Sequence, residues 1–495
     1  NALVVFPDMA QATFWANFLR ENLGTNVCIF HSGLSKTTQM KEWRAIHKGT
    51  YQIVVGTRSS VFVPLPSLGL IFLSKEDATS YKEEQAPHYH TREVARERAH
   101  LSRAIFLLHS PHPSLETVHH FTAIAKTKNE FSFSTPEKTP TIQVVDHLQI
   151  PYGTTLSDEM RKGIEQALSS GGGAVIFHNR KGFSSSVVCR DCGMSSQCEN
   201  CRVPYKLLTT PPIMRCPYCA KSESIPLICP NCSGSRLEPS SFGTERLEQE
   251  LRREFPEAKV GRMDRDYVKT ESAAQNFRDQ FKKGMLQIIV GTEMLFHGVP
   301  LAPVRFIGIP FADTGLHLPD FRSAERLYHH LQSVINLAST SEKPAHIVLQ
   351  TRLPVHHVMQ AVTQQEPFLF YNHELAFRQA VCYPPFVHFI QTTVSGKDQS
   401  LVQEAARQWV QVMASQVTQL SSRQSSHLTT ETSILGPIPS QTFKHRHVFR
   451  ETILFKVSDL RYSKPAIRRT YEIMSQNTLF KGVLFGINVD PVEVL

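Results

Sequence analysis

Short, continuously apolar runs recur along the chain, each closed by polar residues: ALVVFPDM (2–9), NVCIFHSG (26–33), YQIVVGT (51–57) and LGLIFL (68–73). Runs that are apolar at every position predict parallel strands covered on both faces. Between them TTQMKEWRAIHKG (37–49) carries its apolar residues at helical spacing. The whole pattern then returns. AVIFHNRK (174–181), AKVGRMDRD (258–266), ESAAQNFRDQFKKG (271–284) and VRFIGI (304–309) keep the order, and GMLQIIVGT (284–292) nearly copies GTYQIVVGT (49–57). Two similar α/β lobes follow, an architecture of nucleic-acid motors. The Gly-Thr pairs fall at the C-terminal ends of buried strands, where open parallel sheets place ligand-binding loops. A strand-to-loop transition explains either pair alone but not a matched pair with matched flanks. Gly291 and Thr292 are thus candidate nucleotide-cleft residues.

The 495 residues are too many for one core and imply two to four domains. Hydrophobic residues at 41% and charged residues at 20% are ordinary for a soluble globular protein. No apolar run approaches the roughly 20 residues of a membrane span, so no membrane location is expected. The chain starts at Asn1 and opens directly on an apolar run, which suggests a part upstream; no secretory signal is visible. A net charge of +9 suits a polyanionic partner, with a mildly basic enzyme as the other reading.

Eight of the ten cysteines form four Cys-x-x-Cys pairs: Cys189/Cys192, Cys198/Cys201, Cys216/Cys219 and Cys229/Cys232. Two residues between cysteines let both thiolates face one ion, and two pairs complete a tetrahedral zinc site. Two zinc ions are expected, in a structural role, because every ligand position is a cysteine. Spacing leaves open which pairs combine. A disulfide framework is the rival reading, but nothing here points to secretion. The segment has few large apolar residues, so metal is expected to supply its folding energy. It interrupts the second lobe between its first strand and first long helix, as an insertion.

Several stretches together resemble one family, the primosomal replication-restart DNA helicases called PriA or primosomal protein N′. They are VGTRSSVFVPLPSLGLI (55–71), SYK (80–82), YHTREVARERA (89–99), HNRKGF (178–183), the full cysteine array, SFGTERLEQEL (241–251) and RMDRD (262–266). IIVGTEML (288–295), PDFRSAERL (319–327), YPPF (383–386), LGPIPS (435–440) and INVDP (487–491) complete the set. The resemblance implies an α/β fold with two RecA-like lobes of a superfamily 2 helicase, a two-zinc insertion in the second, and a C-terminal α/β domain. Its expected boundaries are 1–140 for lobe 1, 141–188 and 234–355 for lobe 2, 189–233 for the insertion, and 356–495 for the C-terminal domain. It further implies that Cys189, Cys192, Cys229 and Cys232 hold one zinc, and Cys198, Cys201, Cys216 and Cys219 the other. The family's activity is ATP-dependent 3′-to-5′ DNA unwinding with magnesium. Its partners are forked or single-stranded DNA, primosome proteins and single-strand-binding proteins, in the cytoplasm with the nucleoid. Its DNA-recognition domains and Walker A loop precede the point where this chain begins.

Two departures bear on ATP hydrolysis, which needs a carboxylate for magnesium, a water-orienting residue and arginine against developing charge. No Gly-x-x-x-x-Gly-Lys-Ser/Thr loop is present, and HSGLSKTT (31–38) reads as a helix cap. After LGLIFL the family carries Asp-Glu-Glu-His, whereas here Ser74, Lys75, Glu76 and Asp77 stand. After FRSAERLYHHLQ the family's arginine fingers are replaced in Asn336–Thr340, at Leu337 and Thr340. The expectation is a scaffold with lost or strongly reduced turnover. Its alternatives are an active helicase with an upstream Walker A, and a zinc-stabilised interaction protein that binds no DNA. For DNA contact, aromatic and cationic residues suit stacked bases and phosphates. They nominate Arg58, Tyr81, Lys82, Tyr89, Arg92 and Lys181, with an ordinary charged helix as the other reading of TREVARERAHL (91–101).

Overall fold

The two sets of apolar runs become two parallel sheets with the same strand order. This computed structural model describes residues 1–24, 26–125, 139–150, 154–178, 186–209, 212–239, 244–264, 267–296, 304–339, 345–423, 433–445 and 448–494. They form two units, Asn1–Phe131 with Pro384–Val494, and Ser132–Tyr383. In the first unit, strands Val27–Phe30, Ile53–Gly56, Ala2–Val5, Leu70–Ser74 and Ile105–His109 lie in that order, all parallel. In the second, Val260–Met263, Ile288–Gly291, Gly173–Phe177, Val304–Ile309 and His346–Thr351 repeat it. A sixth strand, Ile142–Asp146, pairs in parallel beyond the last. The first sheet has no such strand among the described residues. Its edge strand exposes Ile105 by 69% and Leu107 by 49%.

The likeness of the halves reaches single hydrogen bonds. Helices Lys36–His47 and Glu271–Lys282 are matched elements, each capped by a hydroxyl: Ser35 accepts from Thr38 N and Thr270 from Ala273 N. Such caps satisfy a backbone N–H that the first turn leaves unpaired. Both helices run out into a left-handed glycine, Gly49 (φ 77°) and Gly284 (φ 69°). Each glycine N–H donates to the carbonyl three residues back, on Ile46 and Phe281.

The glycine of the duplicated Val-Gly-Thr has a steric cause. Gly56 pairs with Val5 and Phe30, and Gly291 with Phe177 and Met263, at equivalent places in the two sheets. After each, a 3-10 turn (Arg58–Phe62 or Glu293–Phe296) folds back beneath the strand end. A Cβ on Gly56 would lie 2.2 Å from Phe30 O, and one on Gly291 2.8 Å from Met263 O and from Leu295 Cγ. We expect Gly56→Ala to destabilise the first unit by about 3 kcal/mol, since a strand carbonyl cannot yield. Gly291→Ala should cost less, because its contacts are longer; urea unfolding of each variant reads the difference.

The first unit also contains an antiparallel sheet in the order Ser433–His445, Val448–Val457, His388–Gly396 and Leu484–Val489. It packs with helices Gln399–Arg423 and Leu460–Gln476 around the fully buried Trp409. In the second unit, Phe306 and Met160 belong to one buried core cluster. Behind it lies a buried ionic cluster. Arg378 has no exposed surface; its Nε donates to Glu374 Oε1 (3.0 Å) and its guanidinium to Glu325 Oε2 (2.9 Å). Arg322 also reaches Glu325, His357 reaches Glu374, and the Phe321 ring lies 5.1 Å from the Arg378 guanidinium carbon. The cluster clamps helix Ser323–Ser339 to helix Pro367–Ala380. Among the described residues no helix is long and apolar enough to cross a membrane.

Candidate functional site

The eight cysteines gather into two tetrads: Cys189, Cys192, Cys229 and Cys232, and Cys198, Cys201, Cys216 and Cys219. Within each, ligand atoms lie within 4.8 Å of one another. Sγ–Sγ separations are 3.6 Å for Cys189–Cys232, 3.7 Å for Cys192–Cys229 and 3.6 Å for Cys198–Cys219. Four sulfurs at about 2.3 Å from one zinc sit about 3.8 Å apart, whereas a disulfide requires about 2.05 Å. The cysteines are free thiols arranged as a metal cage, and both tetrads fit zinc.

One local motif, used four times, builds both cages. In each Cys-x-x-Cys pair the first cysteine's N–H donates to the carbonyl five residues on: Met194, Val203, Lys221 and Gly234. The residue after the second cysteine donates its N–H back to the first cysteine's carbonyl. These residues are Gly193, Arg202, Ala220 and Ser233. All four have a left-handed backbone, with φ of 75°, 55°, 63° and 60°. Only the first is glycine, although the conformation costs an L-residue roughly 1–2 kcal/mol. We expect Ala220→Gly to stabilise the zinc-loaded chain by about 1 kcal/mol, read as a raised urea midpoint. Gly193→Ala should do the reverse, and its Cβ would meet Arg352 Cβ at 2.5 Å.

Aromatic residues dock the inner cage onto the second sheet's unit. Tyr218 is buried and its hydroxyl accepts the Phe321 N–H (3.1 Å). Burial raises the Tyr218 pKa well above the ordinary phenol value. Tyr383, also buried, donates its hydroxyl to the Cys201 carbonyl, stacks edge-on to Tyr218 and packs on Phe321. Sequence reasoning missed this docking. Its signal was the lone aromatics of the insertion, Tyr205 and Tyr218, in a segment too small to enclose them.

At the first sheet's strand ends, Ser74 closes strand Leu70–Ser74 and its carbonyl accepts from the Tyr81 hydroxyl (2.6 Å). Lys75 takes a left-handed φ of 48° and turns the chain so that Glu76 points inward. Glu76 is 1% exposed. Its Oε1 accepts the Ser114 N–H (2.7 Å); its Oε2 accepts the Ser114 hydroxyl (3.0 Å) and an Arg92 N–H (2.6 Å). Arg92 also donates to Thr117 Oγ1 (3.2 Å). Burial opposes the charge on Arg92, but Glu76, Glu116 and Glu93 outweigh it and raise its pKa above the usual value. Asp77 accepts from the Ser110 hydroxyl. These residues do not fit a magnesium-nucleotide site: position 74 offers a hydroxyl, position 75 a cation, and Glu76, the first carboxylate after them in the chain, is already enclosed by donors.

A family model described as the primosomal protein N C-terminal domain matches residues 379–492. The replication restart protein PriA of Bacillus subtilis (strain 168) is 31% identical over 499 residues, covering 100% of this chain and 61% of that protein. The Treponema pallidum (strain Nichols) protein of the same name is 30% identical over 499 residues, covering 100% of this chain and 73% of its own length. This chain belongs to the replication restart protein PriA family. It spans about three fifths of its Bacillus relative. Among solved structures, RecG bound to a three-way DNA junction aligns with 77% of this PriA-family chain and 39% of its own, at 13% identity and a TM-score of 0.38. The fold of this PriA-family chain is read from its own sheets.

Most of the cations and aromatics nominated for DNA lie inside the first unit. Tyr81 is fully buried, its hydroxyl shared between Val5 O and Ser74 O. Lys82 Nζ donates to Val489 O (2.5 Å). Arg58 pairs with Glu83 (2.8 Å) and donates to the carbonyls of Ser80 and Lys82. Tyr89 packs edge-on against Phe62 at 4.8 Å. Arg98, in the same segment, fixes the turn after Gly56 by donating to Val61 O and Val63 O. In the second unit Leu337 is buried within helix Ser323–Ser339. Gly291 closes its strand, and Thr292 O accepts from Leu295 N (3.0 Å). Lys181 and Thr340 lie outside the described residues.

Proposed function

We propose that this PriA-family chain is the core of a replication-restart protein in which two zinc ions are structural and ATP hydrolysis is lost or strongly reduced. It binds forked or single-stranded DNA and primosome proteins, in the cytoplasm with the nucleoid, and its lobes act as a scaffold. The family supports the restart role, and the two cysteine cages support the metals. The single observation that carries the loss of turnover is the strand end at Ser74. Position 74 carries no carboxylate, and Glu76, the first one after it in the chain, is held by Arg92 and Ser114. A missing arginine finger alone can lower phosphoryl-transfer rates by about 10³–10⁵, and Leu337 occupies that helix as a core residue.

DNA-stimulated phosphate release by the full-length protein tests the reading. Release is expected at background with or without Ser74→Asp; turnover well above background in the unaltered protein overturns it. Binding to forked DNA should weaken steeply with salt, as phosphate contacts release counterions. No binding at low salt would leave only a protein-interaction role.

A further inference from the structure

The two cages are built alike but seated differently. In the inner tetrad Cys198, Cys201 and Cys216 are buried and Cys219 is partly so. Tyr218 lies between two of its ligands in sequence, and Tyr383 grips the carbonyl of a third, so this cage is part of the second unit's packed interior. The outer tetrad joins the two ends of the insertion. Its first half, Cys189–Gly193, presses on Arg352. Its second half is the more exposed: Cys229 is buried, but Cys232 is exposed, as are Pro230, Asn231 and Ser233, and Leu227 just before them is 90% exposed. Beyond the cage, its holds include short strand pairing of Leu237–Pro239 with Val187–Cys189, the Arg190 N–H donated to Arg236 O, the Asn231 amide donated to Cys192 Sγ, and the ion pair of the exposed Arg236 with the half-buried Asp191. Segments with few buried contacts open locally at low free-energy cost.

Resting on the zinc reading above, we propose that the outer tetrad is an exchangeable metal site that opens through its Cys229–Cys232 half, while the inner tetrad holds its metal permanently. The insertion then has two states. With both cages filled it is closed at its stem. With only the inner one filled, the segment around Leu227 and Ile228 and the strand Leu237–Pro239 are released, while Tyr218 and Tyr383 keep the rest anchored. The ligand class for the outer site is a thiophilic divalent ion in competition with cellular chelators.

Full-length protein is first assayed for zinc. Fewer than two per chain overturns the zinc reading itself, and this inference with it. With two present, an excess of chromogenic chelator is added and release followed. One equivalent is expected to leave faster than the other by roughly tenfold or more. Brief N-ethylmaleimide pulses followed by mass spectrometry should label the exposed Cys232 first, Cys229 as its half opens, and Cys198, Cys201 and Cys216 last. Cys232→Ser should delete the fast equivalent and keep the slow one. Release of both metals in one phase, or labelling that begins at the inner tetrad, overturns the inference while leaving the zinc reading intact.

Discussion

Arg378→Met will cost the second unit about 3–5 kcal/mol, the range for breaking a buried ion pair from one side. The side chain has no exposed surface, and Glu325 and Glu374, its acceptors, are nearly as buried. Methionine fills much of the volume, so the loss reports the stranded carboxylates rather than a cavity. Glu374 keeps His357 and Glu325 keeps Arg322, but neither replaces the charge at the centre. Urea unfolding gives the figure. Adding Glu325→Gln and Glu374→Gln to the Met variant should recover part of it, because neutral amides have less to lose on burial. If the triple variant is no more stable than Arg378→Met, the effect comes from packing.

A larger effect is expected from Cys216→Ser. Structural zinc supplies on the order of 10–16 kcal/mol to small cysteine-rich folds, and the inner cage carries the aromatic dock besides. Losing its metal would free Tyr218 from Phe321 and Tyr383 from Cys201. The variant should hold at most one zinc by elemental analysis. Its insertion should be cut rapidly by trypsin within residues 186–239, while the parallel sheets persist. An insertion as resistant as the parent's would show that tyrosine docking, not metal, supplies its order.

The repeated strand order was legible because parallel strands buried on both faces write themselves as unbroken apolar runs. The cysteine cages were legible because two-residue spacing is itself the geometry of the knuckle. Which pairs combine was not legible from spacing, which permits several partners, but the family resemblance implied the two tetrads that form. The strand-end site was half legible. That positions 74 and 75 lack carboxylates is plain from the letters. The enclosure of Glu76 is not, because its partners at 92 and 114 come from a helix and a loop far along the chain. The same limit applies to Tyr81, Lys82 and Arg92. Alternating aromatic and cationic letters read alike whether the side chains face solvent or turn inward, and here burial and backbone carbonyls decide.

The outer rail of Ile105–His109, an edge among the described residues, has a practical bearing. Its outward amides and carbonyls pair with no strand among the described residues, and with Ile105 and Leu107 beside them they form a ledge on which another chain can lay a strand. Polypeptide limited to these residues will tend to self-associate along that ledge on concentration, and a lysine at position 105 or 107 should keep it dispersed.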